Sequence, residues 1–220
     1  KEQETHTMNE TRYAIRITTI SELLGSVPLD AEIYTPYIAS KAPAAMQTNG
    51  TAAAEADTLA EYDALDIKGR TGFHHDAQGR PLLLDYVVKG FLKESWQAMR
   101  QVPGSEAAKL KAGKSKIDGL VFVEPRHIVL HVPGGQKESI NERPLRAETP
   151  RGPRVALAAS EELPIGTWCD VRLTVLAPQI ITKELLEELF AYGRWLGLGQ
   201  WRSGGHGKFT VGTLKPYIPA

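Results

Sequence analysis

Cysteine occurs once in 220 residues, at Cys169. A single thiol excludes an internal disulfide and a cysteine-based zinc site, and it fits a reducing, cytoplasmic setting. Long apolar runs are missing as well. None approaches the roughly 18 residues needed to cross a bilayer, so no membrane partner is expected. The opening KEQETHTMNE lacks the apolar centre of a secretory leader. Net charge is absent too, with 26 Lys and Arg against 26 Asp and Glu. The balance hides an unevenness. Residues 1–80 carry 7 basic and 12 acidic side chains, residues 81–154 carry 13 and 8, and residues 155–220 carry 6 and 6. A neutral total of this kind is compatible with a basic face built from the middle of the chain.

What is present reads as one domain with an insertion. RYAIRITTI, residues 12–20, has the β-branched content and alternation of a strand. Residues 39–69 are rich in Ala, Thr, Asn and Asp and predict a surface insertion, an arm or lid. Asp76-Ala-Gln-Gly79 has turn chemistry and predicts a hairpin. In YVVKGFLKESWQAMRQV, Phe91, Leu92, Ser95, Trp96 and Met99 share one helical face, and Pro103-Gly104 ends the helix. KLKAGKSK predicts an exposed basic loop. DGLVFVEPRHIVLHV predicts two strands broken at Pro125, and WCDVRLTVLA predicts another. Thr182 is a helix N-cap for the stripe Leu185, Leu186, Leu189 and Phe190. KFTVGTL is a last strand. This order predicts an α+β fold: an antiparallel sheet of the ferredoxin-like or RRM-like kind, with helices on one face and an insertion arm.

Between the last helix and the last strand lies GLGQWRSGGHGKF, residues 197–209, with five glycines set around Trp201, Arg202, His206 and Lys208. Glycine lets backbone amides turn outward and form an anion nest. A guanidinium suits phosphate, and an indole offers a face to a base. GxxxxGK[ST] is missing, so this is no P-loop. The loop also leaves a helix and enters a strand, the reverse of the dinucleotide fingerprint. A tight helix-to-strand connection with a glycine cap accounts for Gly197 or Gly199 but leaves the remaining glycines unexplained.

AYGRWLGLGQWRSGGHGKFTV resembles the C-terminal glycine-rich loop of the RAMP superfamily of CRISPR-associated proteins. DAQGRPLLLDYVVKGFLKESWQAMR resembles a second landmark of its RNA-coating backbone subunits, in which a Gly and Pro turn leads to a helix start with Leu-Lys, here Leu92-Lys93. The family's Pro-Gly-Ser-Ser is missing from this second block, Glu94 stands where Gly is usual, and His206 replaces a Tyr or Phe. The resemblance implies RRM-like sheets and binding of single-stranded RNA along a groove. It also implies CRISPR effector subunits as partners and head-to-tail assembly of copies. It points to Lys93, Arg202, His206 and Lys208 as RNA contacts. Lys89, Arg100 and Trp201 complete the expected surface, and KLKAGKSK with Arg143, Arg146, Arg151 and Arg154 would extend the track.

Some RAMP proteins cut RNA, so His206 and Asp30 are the catalytic candidates, Asp30 by its place after the first strand. An imidazole can both take and give a proton, but nothing in the sequence supplies His206 with a partner. A turn or capping role suits Asp30 better. His74 and His75 are adjacent in an extended segment and point to opposite faces, so hairpin surface is the better reading than metal binding. His127 and His131 would lie on one face about 13 Å apart, too far for one ion. No metal and no cofactor is expected. The reading is a protein that coats or clamps single-stranded nucleic acid, RNA before DNA. One rival is a metal-independent endoribonuclease of the same fold. Another is a viral or host protein that docks onto or mimics a CRISPR subunit.

Overall fold

The computed structural model describes residues 10–29, 70–149 and 152–218. The expected insertion at 39–69 and Asp30 lie outside them. In chain order the strands and helices begin with β1 (Thr11–Thr19), β2 (Leu23–Leu24), β3 (Val27–Pro28), β4 (Arg70–Gly72), β5 (His74–His75) and β6 (Pro81–Leu84). Next come α1 (Asp85–Met99), α2 (Glu106–Lys109), α3 (Gly113–Leu120), β7 (Val121–Glu124) and β8 (His127–Val129). The rest are β9 (Ser139–Thr149), β10 (Gly152–Leu163), β11 (Trp168–Val175), α4 (Lys183–Ala191), α5 (Gly193–Leu196), β12 (Phe209–Val211) and β13 (Lys215–Pro216).

The central sheet has the order β12-β1-β11-β7, and β13 adds to β1. Each of these pairings is antiparallel. With α1 between β1 and β7, and α4 between β11 and β12, the chain runs β-α-β-β-α-β, the order of the split βαβ pattern. The α+β class expected from the sequence is what the structure shows. Alternation sets the faces. Tyr13, Ile15 and Ile17 of β1 and Cys169, Val171, Leu173 and Val175 of β11 are buried, while Arg16 and Asp170 stand on the other side. α1 and α4 cover the buried side, where the Phe91 ring lies 4.9 Å from Phe209 and 6.1 Å from Phe190. Burial pushes the Cys169 thiol up to about 12, so it packs as a small apolar group. Among the described residues, no helix is long and apolar enough to cross a membrane.

Local signals hold where the sequence carries them. Thr182 accepts from the Leu185 amide at 3.2 Å and opens α4. At the predicted hairpin, the Asp76 carboxylate accepts from the Gln78 and Arg80 amides, and β5 pairs with β6. Two expectations need correction. Residues 113–116 of the supposed basic loop open α3, because Ile117 is buried and Gly113 packs against the Trp96 ring. His74 is buried rather than on the hairpin surface. The proline- and arginine-rich residues 143–149 and 152–154 belong to the long antiparallel pair β9 and β10. Proline is tolerated there because β9 pairs only with β10 among the described residues and so forms a sheet edge.

β10 also joins a second sheet, β2-β10-β4-β3. There the Glu161 carboxylate accepts from the Phe73 amide at 2.8 Å. Burial raises its pKa above the ordinary 4.5. The native state therefore disfavours the ionised form, and stability falls as pH rises from the ordinary value through the raised one. Glu161→Gln keeps an acceptor for Phe73. It is expected to raise the melting temperature at pH 7 and to lose that gain at pH 4. Equal melting of both proteins at pH 7 would show that burial does not penalise the ionised carboxylate.

Candidate nucleic-acid interface

The glycine-rich segment leaves α5 and folds back over β2. Gly197 has φ +75° and ends α5. The Leu198 amide donates to Gly207, the Gln200 amide to Leu24 and the Gly207 amide to Glu22. Gly204 and Gly205 donate to carbonyls of Trp201 and Arg202 within the turn. These amides are spent inside the protein, so they do not form the anion nest that glycine content suggested. Gly197, Gly199, Gly204 and Gly207 serve close approach instead, and Gly205 supplies a φ of +93°. A Cβ on Gly207 would stand 1.8 Å from the Leu198 carbonyl oxygen, and one on Gly199 would stand 2.4 Å from that of Leu24. The tight-connection reading thus accounts for more of the glycines than Gly197 or Gly199 alone.

The side chains of the loop are another matter. Trp201 takes a left-handed conformation, φ +50° and ψ +40°, and is 37% exposed. Its indole stacks on the His206 imidazole, with centroids 5.0 Å apart and planes 19° from parallel. The guanidinium carbon of Arg143, from β9, lies 4.9 Å from the indole centroid. Arg202 pairs with Glu94 of α1 at 2.7 Å. That ion pair joins the two sequence blocks that carried the RAMP resemblance. Lys208 anchors the exit of the loop through its backbone, whose amide donates to the Ser21 hydroxyl at 2.8 Å and whose carbonyl accepts from Ile20.

The other expected contacts point elsewhere. The Lys89 ammonium donates to the carbonyls of Asp118 and Val121 at the end of α3, and burial lowers its pKa. Lys93 pairs with Asp118 at 2.8 Å, which holds that carboxyl below its usual range. Arg100 lies over the Trp96 ring at 5.1 Å. Lys89 and Lys93 tie α1 to α3, Arg100 lies over a ring of α1 itself, and the structure does not gather the three with Trp201, Arg202 and His206. Nδ1 of His206 is buried and lacks a hydrogen-bond partner among the described residues. Also among the described residues, no group of three His, Cys, Asp or Glu side chains is placed to hold a metal ion.

Sequence reading located Arg143 only as one of several basic residues on a track. Its place behind Trp201 follows from the register of β9 on β10, where Arg143 faces Ala158. A second aromatic and cationic set escaped notice on the open side of the central sheet. Trp168 stacks on His131 at 4.0 Å, and Arg16 lies 3.8 Å from the Trp168 ring while pairing with Asp170. Alternation along β1 and β11 was the signal that places Arg16, Trp168 and Asp170 on one face.

No protein-family model matches the chain, and no curated protein matches it. Among solved structures it is similar to a chain in a cryo-EM structure of the Type III-B Cmr-beta bound to cognate target RNA. The TM-score is 0.48 and the identity 12%, over 96% of this chain and 62% of the other. The protein thus spans about 62% of that chain's length. A likeness at this level is a distant one of shape.

Proposed function

We propose that the protein binds single-stranded nucleic acid, RNA in preference to DNA, by coating or clamping the strand rather than cutting it. One observation carries this reading: the partly exposed Trp201 indole, stacked on His206, with the guanidinium of Arg143 beside it. Aromatic rings and guanidinium planes suit unpaired bases, and cations beside them suit the phosphates between bases. A cleaving role for His206 would need a second acid or base, and the buried Nδ1 has no hydrogen-bond partner among the described residues. Assembly with further copies or with CRISPR effector subunits belongs to this reading as well, through the RAMP resemblance.

Fluorescence anisotropy with labelled single-stranded RNA, single-stranded DNA and duplex, at two salt concentrations, tests the reading. Salt-sensitive binding that favours single strands is expected. Joint replacement Arg202→Ala and Lys208→Ala is expected to weaken that binding and flatten its dependence on salt, by up to about two in the logarithmic slope. Unchanged affinity and slope would remove both side chains from the interface. Absence of binding to any of the three would overturn the function itself and favour a protein-docking role.

A further inference from the structure

Cations on this protein commonly face carboxylates. Arg202 meets Glu94, Arg16 meets Asp170, Lys93 meets Asp118 and Arg126 meets Asp85. Arg143 differs. It is only 4% exposed, yet its hydrogen bonds go to neutral oxygens. Both terminal nitrogens donate to the Ser160 hydroxyl, at 3.2 and 3.1 Å, and one reaches the Asn141 amide oxygen at 3.4 Å. Glu162 attracts the guanidinium through space but forms no hydrogen bond or ion pair with it, its carboxylate instead accepting from the Asn141 amide at 2.8 Å. Nε of Arg143 is buried and has no partner among the described residues.

The surroundings keep the guanidinium in place. The Ser160 hydroxyl donates to Gln200 at 3.0 Å, which leaves its lone pairs to accept from Arg143. Thr71 shares the same Gln200 oxygen. Trp201, next to Gln200, covers the outer side of the guanidinium. A guanidinium taken out of water with no carboxylate in hydrogen-bond contact is costly, and a bound anion offsets that cost. The vacant Nε together with a neighbouring Nη is one edge of the guanidinium fork, and such an edge matches two oxygens of a phosphate. The indole stands in the way in a left-handed backbone conformation unusual for a bulky residue, with Gly199, Gly204 and Gly205 around it.

Building on the proposed function, we infer that Arg143 is the phosphate-holding group of this surface, and that Trp201 covers it until a strand arrives. As the indole lifts, the fork gains its anion and the ring gains a base to stack on. One movement then couples the phosphate contact to the base contact.

The test compares wild type with Arg143→Gln in the same anisotropy titration, alongside thermal melts with pyrophosphate at constant ionic strength. Arg143→Gln is expected to weaken single-stranded RNA binding about tenfold or more and to lower the salt slope by about one. Pyrophosphate is expected to raise the melting temperature of wild type and not of the variant. Wild-type affinity and slope in Arg143→Gln would overturn the assignment while leaving the proposed function intact. If wild type binds no strand, the proposed function fails by itself. Pyrophosphate protection that needs Arg143 would then still support the anion site, and its absence would overturn it. If Arg143→Gln does not fold, the fluorescence of Trp201, taken as the difference from Trp201→Phe, decides. A saturable change on adding pyrophosphate supports the lid, and no change overturns it.

Discussion

Trp96→Ala is expected to destabilise the protein by about 3–5 kcal/mol, the range for removing a large buried aromatic side chain. Trp96 is 4% exposed and lies on the buried stripe of α1 with Val88, Phe91, Leu92 and Ser95. It also joins α1 to both α2 and α3. Its indole N–H donates to the Ala107 carbonyl of α2 at 3.1 Å, and α3 rests against its ring at Gly113, where a Cβ would come within 2.2 Å. Truncation removes the ring and one of the two donors to the Ala107 carbonyl, which keeps the Leu110 amide at 3.3 Å. Urea unfolding measures the effect. A lower midpoint with an unchanged slope reports lost stability, and a loss under about 1 kcal/mol would mean that the stripe of α1 is not the core contact described.

Gly207→Ala is expected to cost about 2–5 kcal/mol, the sum of a left-handed backbone forced on a residue with a Cβ and an overpacked contact. Gly207 has φ +69°, and the Leu198 carbonyl oxygen already fills the space its Cβ would need. The residue holds the loop by both ends of its peptide, donating to Glu22 at 2.7 Å and accepting from Leu198 at 2.8 Å. Loss of these anchors should release Trp201 and His206 with the loop, so strand binding should fall together with thermal stability. A variant that melts like wild type would show that the loop relaxes around the methyl group.

The sequence made legible what short-range physics decides. The stripe of α1, the Thr182 cap of α4 and the Asp76 turn each depend on residues a few positions apart, and each stands where it was expected. α3 was not legible, because its Gly and Lys content favours a loop and only the contact with Trp96 and the burial of Ile117 make it a helix. The β9–β10 hairpin was hidden by Pro144 and Pro153, which weigh against strands anywhere but at an edge. At the candidate site, composition located the loop and its side chains but assigned the glycines to the ligand. The crowding of Gly199 against Leu24 and of Gly207 against Leu198 assigns these two to the fold. The role of Arg143 could not be read, since it depends on a strand register and a loop position far apart in the chain.

The place of β1 in the central sheet bears on how the chain is made. β1 ends at Thr19, but its described neighbours are β11, β12 and β13, all in the last quarter of the sequence. At about 5–20 residues per second, synthesis from Thr19 to Val175 takes on the order of 10–30 s. Through that interval Tyr13, Ile15 and Ile17 emerge from the ribosome as an apolar ladder with no strand to meet it. The sheet closes late, from its middle outward, and β1 has to be kept from the wrong company until β11 is finished.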